Sequence, residues 1–464
     1  MKIRALIAVI AFSCLLMNAN VYDMPLVHKV AKGESLYGIS KQYGMLVDDL
    51  LRLNPLAKDG IKVGEELVIR TPKRRVEAKN DKKQNVVEDD LSVENDPTLS
   101  TIEVSDTIIE QPTYNVAIFM PFMLNEETMS TATRTYLDFY KGFLLAADAL
   151  KDSGQKINVY AYDTYNSIDS LNLILAQPQI QQMNVVIAPP GNTASVKAIA
   201  NACDKSTTIL NAFYANDTTH FVKKNVIQAN VVRDVMYDKT ISWLVNEYSD
   251  YTPIIIGSPA NKNRTSMVEE IKRKYKELDV ECKEIIFKRS LNVVDLDGLN
   301  KRAKYLFIPL SSSEKEFEKF IEPIKEFRNM CTEDVALFGY PEWVAFKDSQ
   351  RTSLHALNTV VYSRFYFNEK GDKEKAFSQK FLDVYKAPIK KSPPIQAVLG
   401  YDCGYYLINA LRDGNGNVLD ADLKYSGLQY TFDFTDVEGE KGAENRSLYI
   451  VRYRSNNDVD VKVL

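Results

Sequence analysis

From Tyr114 onward, apolar runs of strand length alternate with amphipathic stretches of helix length, and this alternation constrains the fold most. The candidate strands "YNVAIFMPF", "INVYAYDT", "NVVIAPP" and "TTILNAF" are separated by "TYLDFYKGFLLAADALKD", a short apolar segment around Leu171 to Leu175, and "TASVKAIANACDK". A second series begins after "NVIQANVV". It runs helix "VMYDKTISWLVNEYS", strand "TPIIIGS", helix "RTSMVEEIKRKYKEL", strands "CKEIIF" and "KYLFIPLS", helix "SEKEFEKFIEPIKEFRN" and strand "VALFGY". Strands apolar along their whole length are buried on both faces, the mark of βαβ units around a parallel sheet. Two such series predict an α/β unit over 114–464 with two doubly wound lobes. Lobe 1 is expected to take about 114–230 and 395–464, and lobe 2 about 231–394.

The chain has 464 residues, a formal net charge of −4 and 45% hydrophobic residues, which suits a well-buried core divided among several domains. No basic stripe interleaved with aromatics appears, so the composition argues against a nucleic-acid partner. Residues 1–20, "MKIRALIAVIAFSCLLMNAN", read as a signal peptide. Lys2 and Arg4 precede an apolar run from Ala5 to Met17, and Ala19 and Asn20 offer a cleavage point. The run is shorter than the roughly 20 residues that span a bilayer, and no later segment does better. The mature chain is therefore expected to lack a transmembrane segment. Cys14 in "AFSC" leaves lipidation as an alternative, against which the apolar run continues through "LLMNA". Cys203, Cys282, Cys331 and Cys403 are dispersed without metal-type spacing and read as free thiols, with disulfides the alternative in an exported protein.

Residues 71–113 are charged, lack aromatics and show no apolar periodicity, so they are expected to form a disordered, extended linker. The unit before it, 26–70, opens with the short strand "HKVA" and closes with "ELVIR". Between them, Leu36, Ile39 and Tyr43 mark one helix, and Val47, Leu50 and Leu51 another. Ser35 can cap the first helix, and Asp48 lies in the first turn of the second. Gly33, Gly44, Gly60 and Gly64 punctuate the turns.

This front unit resembles the LysM module, a βααβ unit of bacterial cell-wall proteins. The resemblance rests on "V-x-x-G-E-S-L" at Val30 to Leu36, "I-S-x-x-Y-G" at Ile39 to Gly44, the "L-x-x-x-N" ending at Asn54, and "I-x-V-G-x-x-L-x-I" at Ile61 to Ile69. Glu34 stands where the family more often has Asp. The resemblance implies binding of N-acetylglucosamine-containing glycan, which for an exported bacterial protein means peptidoglycan. The family's shallow groove carries over to Gly33, Glu34, Ser35 and Leu36 on one side and Asn54, Pro55, Leu56 and Ala57 on the other. Gly33 and Asn54 equally suit a role in shaping turns.

Residues 114–464 resemble the type I periplasmic binding-protein fold of the leucine-binding kind. "YKGFLLAADAL" fits its first helix, and "VVIAPPGNTASVKAIANACDKSTTILNAF" its third strand, cleft-facing helix and fourth strand. "AVLGYDCGYYLINAL" fits the returning helix, and "YSGLQYTFDF" with "GEKGAENRSLYIVRY" the terminal hairpin. Ligand in such a fold lies between the lobes, outside the carboxyl ends of the strands. By position, lobe 1 offers Asp163, Asn192, Thr193, Phe213 and Tyr214, and lobe 2 offers Ser258, Ser311, Tyr340 and Trp343. Tyr214 and Trp343 could stack on a ligand ring or serve interlobe packing, and Asp163 could be a solvated rim charge or a cap. "APPGNT" and the bulky pair in "LNAFYAND" depart from the amino-acid binders' pattern, which puts amino-acid recognition in doubt.

Enzyme chemistry is not expected. His28, His220 and His355 are the only histidines, and none sits in a metal or nucleophile motif. "DGNGN" at 413–417 lacks the Glu that a calcium loop requires and reads as a turn. No cofactor is implied. The sequence thus describes an exported, peptidoglycan-associated protein whose two-lobed unit serves as a sensor or scaffold in envelope biogenesis. The alternative is capture of an amino acid or related small molecule.

Overall fold

The computed structural model describes residues 26–42, 47–54, 57–58, 60–70, 112–151, 156–191, 193–213, 223–437 and 442–464. The leader and all of the linker up to residue 111 lie outside these. The described chain divides into two compact units, one within 21–113 and the other from Tyr114 to Leu464.

In the front unit, β1 (Leu26–Lys29) and β2 (Glu66–Arg70) pair antiparallel, with α1 (Leu36–Gln42) and α2 (Val47–Leu53) between them. Their apolar stripes meet in a small core of Val30, Ile39, Leu50, Ala57, Leu67 and Ile69. Ser35 accepts a hydrogen bond from the Gly38 amide at 3.2 Å, the capping bond that its position at the helix start predicts. Tyr43 and Gly44 lie outside the described residues.

The first lobe is built from β3 (Thr113–Met120), α3 (Thr131–Leu150), β4 (Lys156–Asp163), α4 (Ile168–Leu175), β5 (Val185–Ile187), α5 (Thr193–Ala202), β6 (Thr208–Asn211) and β7 (Val226–Gln228). The second runs α6 (Arg233–Glu247), β8 (Thr252–Gly257), α7 (Thr265–Glu277), β9 (Lys283–Ile286), β10 (Tyr305–Pro309), α8 (Glu314–Met330), β11 (Val335–Gly339), α9 (Asp348–Ala356), β12 (Val360–Ser363) and α10 (Asp372–Tyr385). The chain then returns through α11 (Gln396–Asp413), the hairpin β13 (Tyr425–Ser426) and β14 (Thr431–Phe432), and the pair β15 (Phe434–Asp436) and β16 (Ala443–Asn445). It ends on β17 (Tyr449–Tyr453) and β18 (Val459–Val463).

Both sheets have seven strands and the same winding: β15-β16-β7-β6-β5-β3-β4 in lobe 1, and β18-β17-β12-β11-β10-β8-β9 in lobe 2. In each, the chain steps first to one side (β3 to β4, β8 to β9) and then returns to the other (β5, β10). That reversal creates a crevice at the carboxyl ends of β3 and β5, and a second at those of β8 and β10. The inner strands are buried throughout, as their unbroken apolar runs require.

Two expectations are corrected. Residues 395–464 do not all belong to lobe 1: β17 pairs antiparallel with β12, and β18 with β17, so the chain from Tyr449 to its last strand completes the second sheet. The stretch read as one terminal hairpin is accordingly split between the lobes. Its apolar alternation is equally good on either sheet edge, and only the partner strand decides. Nor does the sequence distinguish β12, α9 and α10, which are short or weakly patterned.

Helices α3 and α11 close lobe 1 at backbone contact. A β-carbon at Gly142 would lie 1.8 Å from the Ala397 carbonyl oxygen, and one at Gly400 would lie 1.9 Å from that of Phe139. The lobes are stitched where the chain crosses between them. Arg364 Nε donates to the Val231 carbonyl at 2.7 Å, Asn445 Nδ2 to Ala229 at 2.9 Å, and Lys239 Nζ to Arg446 at 2.8 Å. The four described cysteines are free, with Cys203 and Cys403 buried.

Candidate functional site

Two sites follow from this architecture, one on each unit. In the front unit, Gly33 is exposed with φ +90°, a conformation that a side chain would strain, and so holds the first loop open. The Glu34 carboxylate accepts from the Ala31 amide and from His28 Nε2, both at 2.7 Å. Those bonds, the amide first, hold its carboxyl below the ordinary value of 4.5. Leu36 is half-buried against the core. On the other side, Ala57 is buried, so it offers backbone alone. Pro55 and Leu56 lie outside the described residues.

Asn54 is committed to the frame. Its Nδ2 donates to the carbonyls of Leu50 (2.9 Å) and Val68 (2.8 Å), and its Oδ1 accepts from the Val68 amide at 2.7 Å. The side chain thus extends the β2 ladder and ties it to the end of α2. Asn54→Ala strands the Val68 amide, at a cost of about 1–3 kcal/mol. The expected result is early loss of amide-exchange protection across Glu66–Arg70 with the melting of the large unit unchanged; protection equal to that of the parent chain would refute this role.

In the large unit, the lobe-2 crevice is built around Leu310 to Ser313. The Leu310 amide donates to Ile256 at 2.7 Å, and the Leu310 carbonyl accepts from the Arg264 amide at 3.1 Å. Ser312 is held by Asn263, whose Oδ1 accepts from its amide at 3.0 Å. The predicted residues here are mostly consumed by the lobe itself. Ser258 Oγ donates to the buried Glu316 at 2.8 Å, and Ser311 Oγ accepts from the Ser313 amide at 3.2 Å.

Tyr340 and Trp343 have 0% exposure and form no cleft wall. The Tyr340 hydroxyl donates to the Pro309 carbonyl, and Trp343 Nε1 donates to Ser312 O at 2.9 Å with its ring stacked on Phe346. Large rings with one polar atom serve well as core pieces when that atom finds a carbonyl.

In lobe 1, Asp163 is also buried rather than on the rim. It accepts from the amides of Leu124 (2.8 Å) and Tyr165 (2.9 Å), clamping the two loops of that crevice. Burial pushes its carboxyl up, and the amides oppose that. Around it Met123, Tyr165 and Asn166 all have positive φ, so this carboxylate stabilises locally strained backbone. Phe213 packs against Phe139 and Tyr136 at 4.9 and 6.0 Å. Thr193 opens α5, while Asn192 and Tyr214 lie outside the described residues.

The sequence reading missed Arg264. It sits at the start of α7, its guanidinium 5.0 Å from the centre of the Tyr340 ring, in an ion pair with Glu342 and donating to Ser312 Oγ at 3.2 Å. Its Nε is buried without a hydrogen-bond partner. Arg264 places a cation, paired with Glu342, at the lobe-2 switch point. The loop "SPANKNRTS" between strand and helix carried the only signal, an Arg at a helix start. A cavity of about 830 Å³ opens elsewhere, between the crossing segments at Phe365–Lys370 and Pro393, helix α9 and the β17–β18 turn. The crevice at the carboxyl ends of β8 and β10 is the position at which this architecture takes ligands.

No curated protein matches the chain. The LysM domain family matches residues 28–70. Among solved structures, a branched-chain amino acid ABC transporter from Rhodospirillum rubrum is similar at 11% identity and a TM-score of 0.51, covering 76% of this chain and 100% of that one. A branched chain amino acid ABC transporter periplasmic ligand-binding protein from Burkholderia xenovorans is 12% identical, with a TM-score of 0.47, over 76% of this chain and 95% of that one. At such identities the likeness is one of fold. Among the described residues, no helix is long and apolar enough to cross a membrane. Residues 28–70 form a LysM domain, and the large unit has the two-lobed fold of type I periplasmic binding proteins.

Proposed function

We propose that this is a non-catalytic cell-envelope protein that holds peptidoglycan through its LysM domain and presents the two-lobed unit as a sensor or scaffold in envelope biogenesis. The state of the lobe-2 crevice carries this reading. Ser258, Ser311, Tyr340 and Trp343 spend their polar atoms on the lobe's own fold, so the wall expected to grip an amino acid is already satisfied internally. Attachment to the wall raises the local concentration of the large unit there, which makes weak partner contacts effective.

Arg264 favours a second reading, capture of a carboxylate-bearing small molecule. Its guanidinium, at 3.2 Å from the Ser312 hydroxyl at the crevice, supplies the positive charge that a carboxylate requires. Thermal unfolding of the full chain against amino acids, muropeptides and sugars separates the two. A ligand at a hundred times its Kd stabilises by about 2.7 kcal/mol. The expected result is no amino-acid shift, together with co-sedimentation on insoluble peptidoglycan that N-acetylglucosamine oligomers compete away. A carboxylate-dependent shift that Arg264→Gln abolishes would establish capture, and failure to sediment would remove the tether.

A further inference from the structure

The last strand of lobe 2 stands at an edge of its sheet, and its sequence is complementary to itself. β18 reads Val459-Asp460-Val461-Lys462-Val463, and it stands at the end of its sheet, paired with β17 alone among the described residues. The ladder fixes which groups face outward. Leu464 and Leu448 exchange both backbone hydrogen bonds, at 2.7 and 3.3 Å, and the Arg454 amide donates to Asp458 O at 2.8 Å. In an antiparallel pair, hydrogen-bonded residues alternate with non-bonded ones. The even-numbered residues 458 to 464 therefore point their backbone groups at β17, and Val459, Val461 and Val463 turn theirs away from the sheet. No proline or bulge blunts this row, the usual protections of an edge. The side chains of Val461 and Val463 are each 40% exposed.

We infer that β18 is a dimerisation edge that pairs antiparallel with β18 of a second copy of this chain, about a two-fold axis at Val461. In that register Val461 faces its own counterpart, and Val459 faces Val463 of the other copy. Each of these pairs joins two outward-facing residues, as a hydrogen-bonded ladder demands. Asp460 then stands opposite Lys462 of the second copy, and Lys462 opposite its Asp460, at the positions where cross-strand side chains approach most closely. The three valines line one face and the two charge pairs the other. A shift of two residues would set Asp460 against Asp460 or Lys462 against Lys462, so charge fixes the register.

Asp460 already pairs with Arg454 and is 56% exposed, leaving a free side for a second cation. The join makes one continuous sheet and an isologous, closed contact. It is small, so the dimer is weak in free solution. Two copies would bring two LysM domains to the glycan, a consequence that rests on the glycan-binding reading; the dimer itself does not.

Sedimentation velocity of the full chain without its leader tests this between about 10 μM and 1 mM, the range suited to an interface of this size. The expected result is a concentration-dependent dimer. Lys462→Asp and Asp460→Lys should each weaken it at least roughly tenfold, because both cross-strand pairs become like-charged. The double change D460K/K462D restores complementarity and should recover association. Lys462→Asp is the cleaner single variant, since it leaves the Asp460–Arg454 pair intact. A monomer across the whole range overturns the inference. So does a dimer indifferent to Lys462→Asp, or a double variant as weak as the singles.

Discussion

Asp402→Ala should lower the stability of the large unit by about 3–5 kcal/mol, because it strands three backbone amides at about 1–3 kcal/mol each. Asp402 lies inside α11 with 0% exposure. Its carboxylate accepts from the amides of Leu428 (2.8 Å), Gln429 (2.8 Å) and Tyr430 (2.9 Å), and from the Tyr425 hydroxyl at 3.4 Å. Burial pushes the carboxyl up, to about 7, while these donors pull the other way. Burial outweighs the four donors, and measurement at about pH 8, above that value, keeps the carboxylate ionised. The loop it holds reaches the lobe crossings: Gln429 accepts from the Ile395 amide at 2.9 Å through its side chain and from the Tyr366 amide at 3.0 Å through its carbonyl. Urea unfolding should show the loss, and amide exchange should show residues 428–430 opening first. A loss under about 1 kcal/mol would mean that water replaces the carboxylate and that it does not organise the crossing.

Gly400→Ala is expected to cost about 3 kcal/mol or more, although alanine in a helix is normally worth about 1 kcal/mol over glycine. The added carbon would sit 1.9 Å from the Phe139 carbonyl oxygen, and backbone cannot rotate away as a side chain can. Helices α3 and α11 must separate, and the packing of Phe139, Phe143, Leu399 and Leu407 goes with them. Gly298→Ala is the control, because a β-carbon there meets nothing within 4 Å, and it should be near neutral. Equal stability of the two variants by urea unfolding would contradict the close approach.

Most of the elements were legible because period and length survive in the chain. Tyr305, Leu306, Phe307 and Ile308 form an apolar run of inner-strand length, and Leu36, Ile39 and Leu50 mark helix faces. The LysM turns were legible for the same reason, since glycine at positive φ is a local requirement.

The binding residues were less legible. Position in the strand order located Ser258, Ser311, Tyr340 and Trp343 near the lobe-2 crevice, but not which way their polar atoms turn. All four are used by the lobe's own fold, and Arg264 from the adjoining loop stands beside them in an ion pair with Glu342. The destination of "SLYIVRY" was likewise undetermined, because an alternating strand fits any sheet with a free edge.

By itself, then, the sequence determined what each segment becomes: period, turn chemistry and apolar content act over a few residues. Tertiary structure alone decided which segments meet. It set β17 on the second lobe, closed α3 on α11 through Gly142 and Gly400, and turned Asp402 toward the 428–430 amides. Those outcomes depend on contacts between residues far apart in the chain, where no local pattern records the partner.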